Sequence, residues 1–315
     1  MAIKLYIQYH KNDSGKGKFI ERLIPAMREF GVKCMSSPNG CDATLGVAWF
    51  KEKTGSLPKI LRIDGVHLKD YKRGQWRNKK LANNARQADL IIWQSAFCRD
   101  VGGEILGMRK RRSVTIFNGA PFYQGDLASR SDSPLMAAKW WSRRDDIRHH
   151  KRLVAHAQIA HVFWKRTGIT TNIAGEVYNC REYDGRGVCY LGQLDDATLQ
   201  AEMRKASMFV YVPHYDWCPN VVVEAIANRC HVICGNNGGH AEMADGYGTV
   251  LPLDEKITSL LKGNAVTPEP DIDTVVTAMQ NTLALKNEAT QNPQVSIRYT
   301  AEQYTKAIKE LLCTG

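Results

Sequence analysis

At 315 residues, with 43 Lys and Arg against 32 Asp and Glu and a formal net charge of +11, the chain has room for two domains, each with its own core. No run approaches the ~18 apolar residues of a membrane span, and the opening MAIKLYIQY is a strand pattern without a signal cleavage site, so a soluble cytoplasmic protein is expected. Nine cysteines at irregular spacings argue for reduced thiols in a reducing compartment rather than a disulfide framework.

IKLYIQYHKNDSGKGKFIERLIPAMREFGVKC reads as a strand, a loop bearing Gly15 and Gly17, an amphipathic helix and a second strand. The GKG within it lacks the spacing of a Walker-type phosphate loop. Strands and helices then alternate with short connections to about residue 120, which predicts a parallel sheet covered by helices. KILRIDGVHL places Asp64 and His67 just beyond one of these strands. Two basic clusters follow: KRGQWRNKK, with Lys72, Arg73, Trp76, Arg77, Lys79 and Lys80, and RKRR, Arg109, Lys110, Arg111 and Arg112, before the strand leading to Asn118 and Gly119. Residues 121–150 read as a linker and connecting helix, in which Trp140 and Trp141 with Arg143 and Arg144 repeat the aromatic and basic pairing. A second alternation runs from Arg152 to about Leu261, followed by a loop, GNAVTPEPDID, and closing helices.

The charge is unevenly spread. Residues 1–121 hold 23 basic and 10 acidic side chains, a formal +13, and the remainder holds 20 and 22, a formal −2. A skew over a whole domain points to an anionic partner more strongly than a local run does, since single runs are most often solvated faces.

The most informative stretch is YVPHYDWCPNVVVEAIANRCHVICGNNGGHAEMADGYG, Tyr211 to Gly248. MFVYV before it predicts a buried strand, Asp216 a side-chain cap on the turn, Pro219 the first helical position, and VVVEAIANR the helix. The amides of Asn220, Val221 and Val222 would then face outward at the positive end of the helix dipole, a setting for a diphosphate. Asp216 and Glu224 bracket that start. Carboxylates only accept hydrogen bonds, so beside a phosphate they need hydroxyls, and a ligand with phosphate between two sets of hydroxyls is a nucleotide sugar. The plainer alternative is a cap at Asp216 and a solvated Glu224. Cys230, His231, Cys234 and His240 do not predict zinc, because one strand would turn His231 away from the two thiols.

This stretch resembles the donor segment of family 4 retaining glycosyltransferases, in which two acids eight residues apart lie in an equivalent turn and helix. The likeness extends to the first strand and Gly-bearing loop, to KILRIDGVHL, to ADLIIWQSAFCRD and VTIFNGAP, and to the closing RYTAEQYTKAIKELL. It implies an α/β, GT-B fold: two Rossmann-like domains with parallel sheets facing a cleft, residues 1–150 and 151–294, and a C-terminal helix, 295–315, crossing back to the first. By the same resemblance Asp216 would hold the sugar and Glu224 the ribose, with Asp64 or His67 near the reacting side of the sugar. Gly15, Gly17, Asn118, Cys218 and Asn220 to Val222 would complete the donor site. Asp at 216 departs from the usual Glu. The Arg and Lys that the family sets after the first strand of the second domain are not found in RLVAHAQIAHVFWKRTG, where Lys165 and Arg166 are the candidate substitutes.

The expected activity is therefore sugar transfer from a nucleotide-diphosphate sugar, a UDP-sugar in the first instance, to an acceptor hydroxyl, with retention implied by the resemblance and no tightly bound metal. For the acceptor, the basic first domain favours a hydroxymethylated pyrimidine in DNA, as small viral glycosyltransferases use, and a host cytoplasm is then one setting. A lipid-linked glycan at a membrane surface and an inactive nucleic-acid-binding relative stay open as alternatives.

Overall fold

The computed structural model describes residues 2–9, 15–51, 54–68, 72–126, 130–140, 151–177, 181, 183–253, 269–285 and 290–314, with backbone alone at 72–74. Two compact units divide it: Met1–Pro121 with Pro293–Gly315, and Phe122–Lys256 with Ala265–Asn292.

The first unit runs β1 (Ile3–Gln8), α1 (Gly15–Arg28), β2 (Val32–Met35), β3 (Ala43–Val47), β4 (Lys59–Ile63), α2 (Lys72–Gln87), β5 (Leu90–Trp93), α3 (Gly103–Leu106) and β6 (Ser113–Thr115). All its strands are parallel, in the order β2-β1-β3-β4-β5-β6. β3 and β5 are buried at every position, as expected of strands covered on both faces. α1 turns Phe19, Ile20, Leu23 and Met27 inward onto this sheet.

The second unit runs β7 (Leu135–Ala137), α4 (Leu153–Thr167), β8 (Thr171–Ala174), β9 (Val188–Gly192), α5 (Asp196–Lys205), β10 (Met208–Tyr211), α6 (Asn220–Ala227), β11 (His231–Gly235), α7 (Gly239–Ala244), β12 (Gly248–Leu251) and α8 (Ile272–Leu283). Its sheet is also wholly parallel, ordered β12-β11-β10-β7-β8-β9. The order reverses between β7 and β10, and open parallel sheets bind ligands just beyond the carboxyl ends of strands at such a switch.

The chain closes with α9 (Ile297–Cys313), which belongs to the first unit. Ser296 caps it by accepting from Tyr299 N at 3.0 Å, and Tyr304, Ile308 and Leu311 join the core over Phe19 and Leu23. Gly119 permits this return: a Cβ there would lie 2.7 Å from Ile297 Cα, so the Asn-Gly pair marks a close backbone approach.

One boundary differs from the sequence expectation. Strand β7 lies within the stretch 121–150 read as linker, so the second sheet starts at Leu135 and the division falls at Pro121 rather than after 150. The four apolar residues Leu135 to Ala138 beside SDSP, two of them Ala, make too short and too weak a run to register as a strand.

Candidate active site

β10 is buried throughout, and its carboxyl end feeds the turn Val212–Pro219 before α6. Three side chains fix that turn. Arg152, itself buried, donates to the carbonyls of Val212 and Pro213 at 3.5 and 3.3 Å. His156 Nε2 accepts from Val212 N at 3.1 Å while Nδ1 meets Arg152 O at 2.8 Å, and Asn237 donates to the carbonyls of Pro213 and His214. Burial pushes the His156 imidazole down to about 4, so it stays neutral and Nε2 keeps its lone pair for Val212.

The turn presents Asp216. Its Oδ2 accepts from the Tyr211 hydroxyl at 2.6 Å and pairs with Lys151, whose Nζ lies 2.5 Å from the same hydroxyl. Lys151 and Asp216 side chains are 16% and 13% exposed, so the pair is held where water screens it weakly. Burial, then the Asp216 charge, raises Tyr211 well above the ordinary phenol range. His240 packs edge-on to the Tyr211 ring with centroids 5.8 Å apart, and burial pushes it down to about 4. The Gly-Gly loop brings the neighbouring segment against this turn. Gly239 N donates to Asp216 O at 2.8 Å, and a Cβ on Gly238 would sit 2.6 Å from that carbonyl oxygen.

α6 then starts beside the pair. Glu224 is 6% exposed, which removes the plainer reading of a solvated helix residue, since a carboxylate is kept out of water only where partners or ligands meet it. Asp216 is not the helix cap: Pro219 takes that position without a side-chain hydrogen bond. Val222 N donates to Pro219 O at 3.1 Å, so it is not among the amides that the helix start turns outward. Cys218 is buried with its thiol toward Met243 Sδ at 3.7 Å, and Val222 is likewise buried.

Several other expectations change. Lys165 sits in the last turn of α4, about 14 Å along the axis from His156 in the first, and does not join Asp216; Arg166 beside it pairs with Asp273. The cation the turn does receive is Lys151. It follows β7, the first strand of the second sheet, and was hidden because that strand was not legible. Its partner is 65 residues away, a pairing no local pattern signals. Gly15 and Gly17 open α1 in the first unit. In that unit too, Asn118 is buried with Oδ1 accepting from Arg62 at 2.6 Å, and Arg62 also forms an ion pair with Asp64 and lies 4.5 Å over the Phe19 ring. The Asp64 carboxylate is thus tied to a buried guanidinium, while the loop at His67 is clamped by Asn78 through both backbone groups.

The two basic clusters separate in kind. Arg109 pairs with Glu104, Arg111 donates to the carbonyls of Arg86 and Ala88, and Arg112 donates to Thr314 and to Glu310 O. Those three close helix ends and a loop, and only Lys110 of the four has no such structural task in the described contacts. Trp76, by contrast, is 64% exposed, with Arg77, Lys79 and Lys80 exposed around it. The side chains of Lys72 and Arg73, and residues Trp141, Arg143 and Arg144, lie outside the described residues. Trp140 is core: it is 2% exposed and donates to Ala174 O at 2.8 Å. His231 bonds Thr249 Oγ1 at 2.8 Å across β11 and β12. Among the described residues no three His, Cys, Asp or Glu are placed to hold a metal ion, and no helix is long and apolar enough to cross a membrane.

No family model matches the chain, and no curated protein is similar to it in sequence. Solved structures are similar in fold. Anabaena HepE in complex with UDP-glucose aligns over 98% of this chain and 100% of its own, with TM-score 0.59 and 12% identity. AviGT4, a glycosyltransferase involved in avilamycin A biosynthesis, aligns over 99% of both chains with TM-score 0.60 and 13% identity. The pneumococcal O-GlcNAc transferase GtfA, in complex with UDP and GlcNAc, aligns over 92% of this chain and 60% of its own, with TM-score 0.60 and 13% identity. The two parallel six-stranded sheets and these alignments define the GT-B fold. The narrower likeness to family 4 rests on the sequence motif alone.

Proposed function

We propose that the protein is a glycosyltransferase that takes a sugar from a UDP-sugar, with retention of configuration, and places it on a hydroxymethylated pyrimidine in DNA. The observation that carries the donor reading is Asp216, held by Lys151 and Tyr211 at the switch between β7 and β10, with buried Glu224 in the second turn of α6. The neighbours crystallised with UDP, UDP-glucose or UDP and GlcNAc support a uridine diphosphate donor.

In this reading the start of α6 and the Lys151 ammonium stabilise the diphosphate as charge develops on leaving. Asp216 accepts from sugar hydroxyls and Glu224 from the ribose, which fixes the anomeric carbon relative to the acceptor. The acceptor reading is supported by the formal +13 of residues 1–121 and by the exposed Trp76 in its basic surroundings. That same exposed ring among cations favours, as a second reading, a lipid-linked acceptor at an anionic membrane surface.

Calorimetry with UDP-glucose and Glu224→Gln tests the donor site: binding by the parent and its loss in a folded variant are expected, and unchanged affinity would overturn the assignment. Incubating hydroxymethylated DNA with mixed donors and weighing the digested nucleosides tests the acceptor, with a hexose-shifted nucleoside as the expected product.

A further inference from the structure

The sheet of the first unit has its own switch point, between β1 and β3. The segments that leave those two strands carry Lys16, in the first turn of α1, and Trp49, just past β3. Lys16 Nζ lies 5.4 Å from the centroid of the Trp49 ring. From α2, Lys80 Nζ lies 5.0 Å from that ring and 5.6 Å from the ring of Trp76, so one ammonium serves both indoles. Burial, then the Arg62 and Arg77 charges, lowers the Lys16 ammonium, and burial, then the Arg77 and Lys16 charges, lowers the His67 imidazole.

The backbone holds this arrangement under strain. Ala48, before Trp49, has φ 70°, a left-handed conformation that costs a residue with a Cβ on the order of 1 kcal/mol. It is secured by Ala48 N donating to Arg62 O at 2.8 Å and by Phe50 N donating to Asn84 Oδ1 at 2.7 Å. Cations set against one another, an indole 64% exposed and a strained turn holding a second indole all oppose stability. A ligand that is both anionic and aromatic relieves the first two together.

We infer that Trp49 and Trp76, with Lys16, Arg77 and Lys80, form the platform that grips a single-stranded segment of the nucleic-acid acceptor. Bases stack on the indoles, and phosphates meet the ammonium and guanidinium groups. A base laid on an indole face displaces Lys80 Nζ toward the adjacent phosphate. The inference rests on DNA as the acceptor and goes beyond it by locating the contact and by choosing an unpaired strand over a duplex. Arg109, Arg111 and Arg112 take no part, being committed to Glu104 and to backbone and side-chain oxygens.

Fluorescence anisotropy of the full chain with a labelled twelve-nucleotide single strand, its duplex and anionic vesicles, at two salt concentrations, tests this. The parent is expected to favour the single strand. Trp76→Ala should weaken it roughly 5- to 100-fold, Trp76→Phe should restore most of the affinity, and Lys80→Gln and Arg77→Gln should each flatten the salt slope by about 0.7. Lys110→Gln should change little, and acceptor-free hydrolysis of the UDP-sugar should be the same in all variants. Strand binding by the parent that survives Trp76→Ala, or a preference for duplex, overturns the platform and leaves the DNA reading standing. Binding to vesicles, or to nothing, while DNA is ignored overturns both.

Discussion

The Tyr211 hydroxyl and Asp216 Oδ2 are 2.6 Å apart across the turn that joins β10 to α6, and Lys151 reaches both from the segment after β7. Lys151 thus ties the segment that follows β7 to β10 and its turn, across the point where the second sheet reverses its order. Replacing Tyr211 with Phe keeps the buried ring and removes the hydroxyl that Lys151 and Asp216 share. Loss of about 1 kcal/mol of stability is expected in urea unfolding, with a fall in donor turnover of roughly tenfold.

Lys151→Met should lower UDP release from the UDP-sugar by about 100-fold, the scale for removing one charge-stabilising group. Lys165→Met, at the far end of α4, should leave it unchanged. Equal effects of the two substitutions would refute the placement of the cation.

Arg62 is 1% exposed on its side chain and pairs with Asp64 at 20%. Removing one partner of a buried pair strands the other, so Arg62→Met should cost about 3–5 kcal/mol, and adding Asp64→Asn should recover part of it. A double-mutant cycle by chemical denaturation measures the coupling, and additive losses would show the pair to be incidental.

Acid should weaken the second unit before the carboxylates titrate. Burial pushes His156, His214 and His240 down to about 4. Their neutral forms belong to the fold, while the unfolded chain takes up protons at the usual ~6.5, so this stability is complete above that pH and drains away as pH falls toward 4. The fully buried pair His156 and His240 should contribute roughly 3 kcal/mol each. Thermal midpoints at pH 7.5, 6 and 5 should fall in that order, more shallowly in His156→Gln. A midpoint constant over the range would contradict it.

Arg111→Ala should lower the thermal midpoint, because it uncovers the carbonyls of Arg86 and Ala88 at the end of α2, and the affinity proposed for single-stranded DNA should not change. A loss of that binding with no change in midpoint would return this residue to the proposed nucleic-acid surface.

The parallel sheets and the Asp216–Glu224 spacing were legible because strand runs and a turn-to-helix junction are local in sequence. Lys151, Tyr211 and His240 were not, because a buried cluster built from segments 60 residues apart leaves no periodic trace. Strand β7 is only three residues long and leaves no legible run, so the sequence offers Lys165, at the far end of α4, in place of Lys151. The RKRR cluster reads as one charged patch because composition counts charges, whereas geometry decides whether a guanidinium faces water or a helix end.

The return of α9 to the first unit sets an order of events during synthesis. Phe19 and Leu23 await Tyr304 and Ile308, which leave the ribosome only after all the strands of the second unit have been made. The unit translated first is therefore the one completed last, and a nascent chain arrested before Ser296 should carry a finished second unit and an open first one.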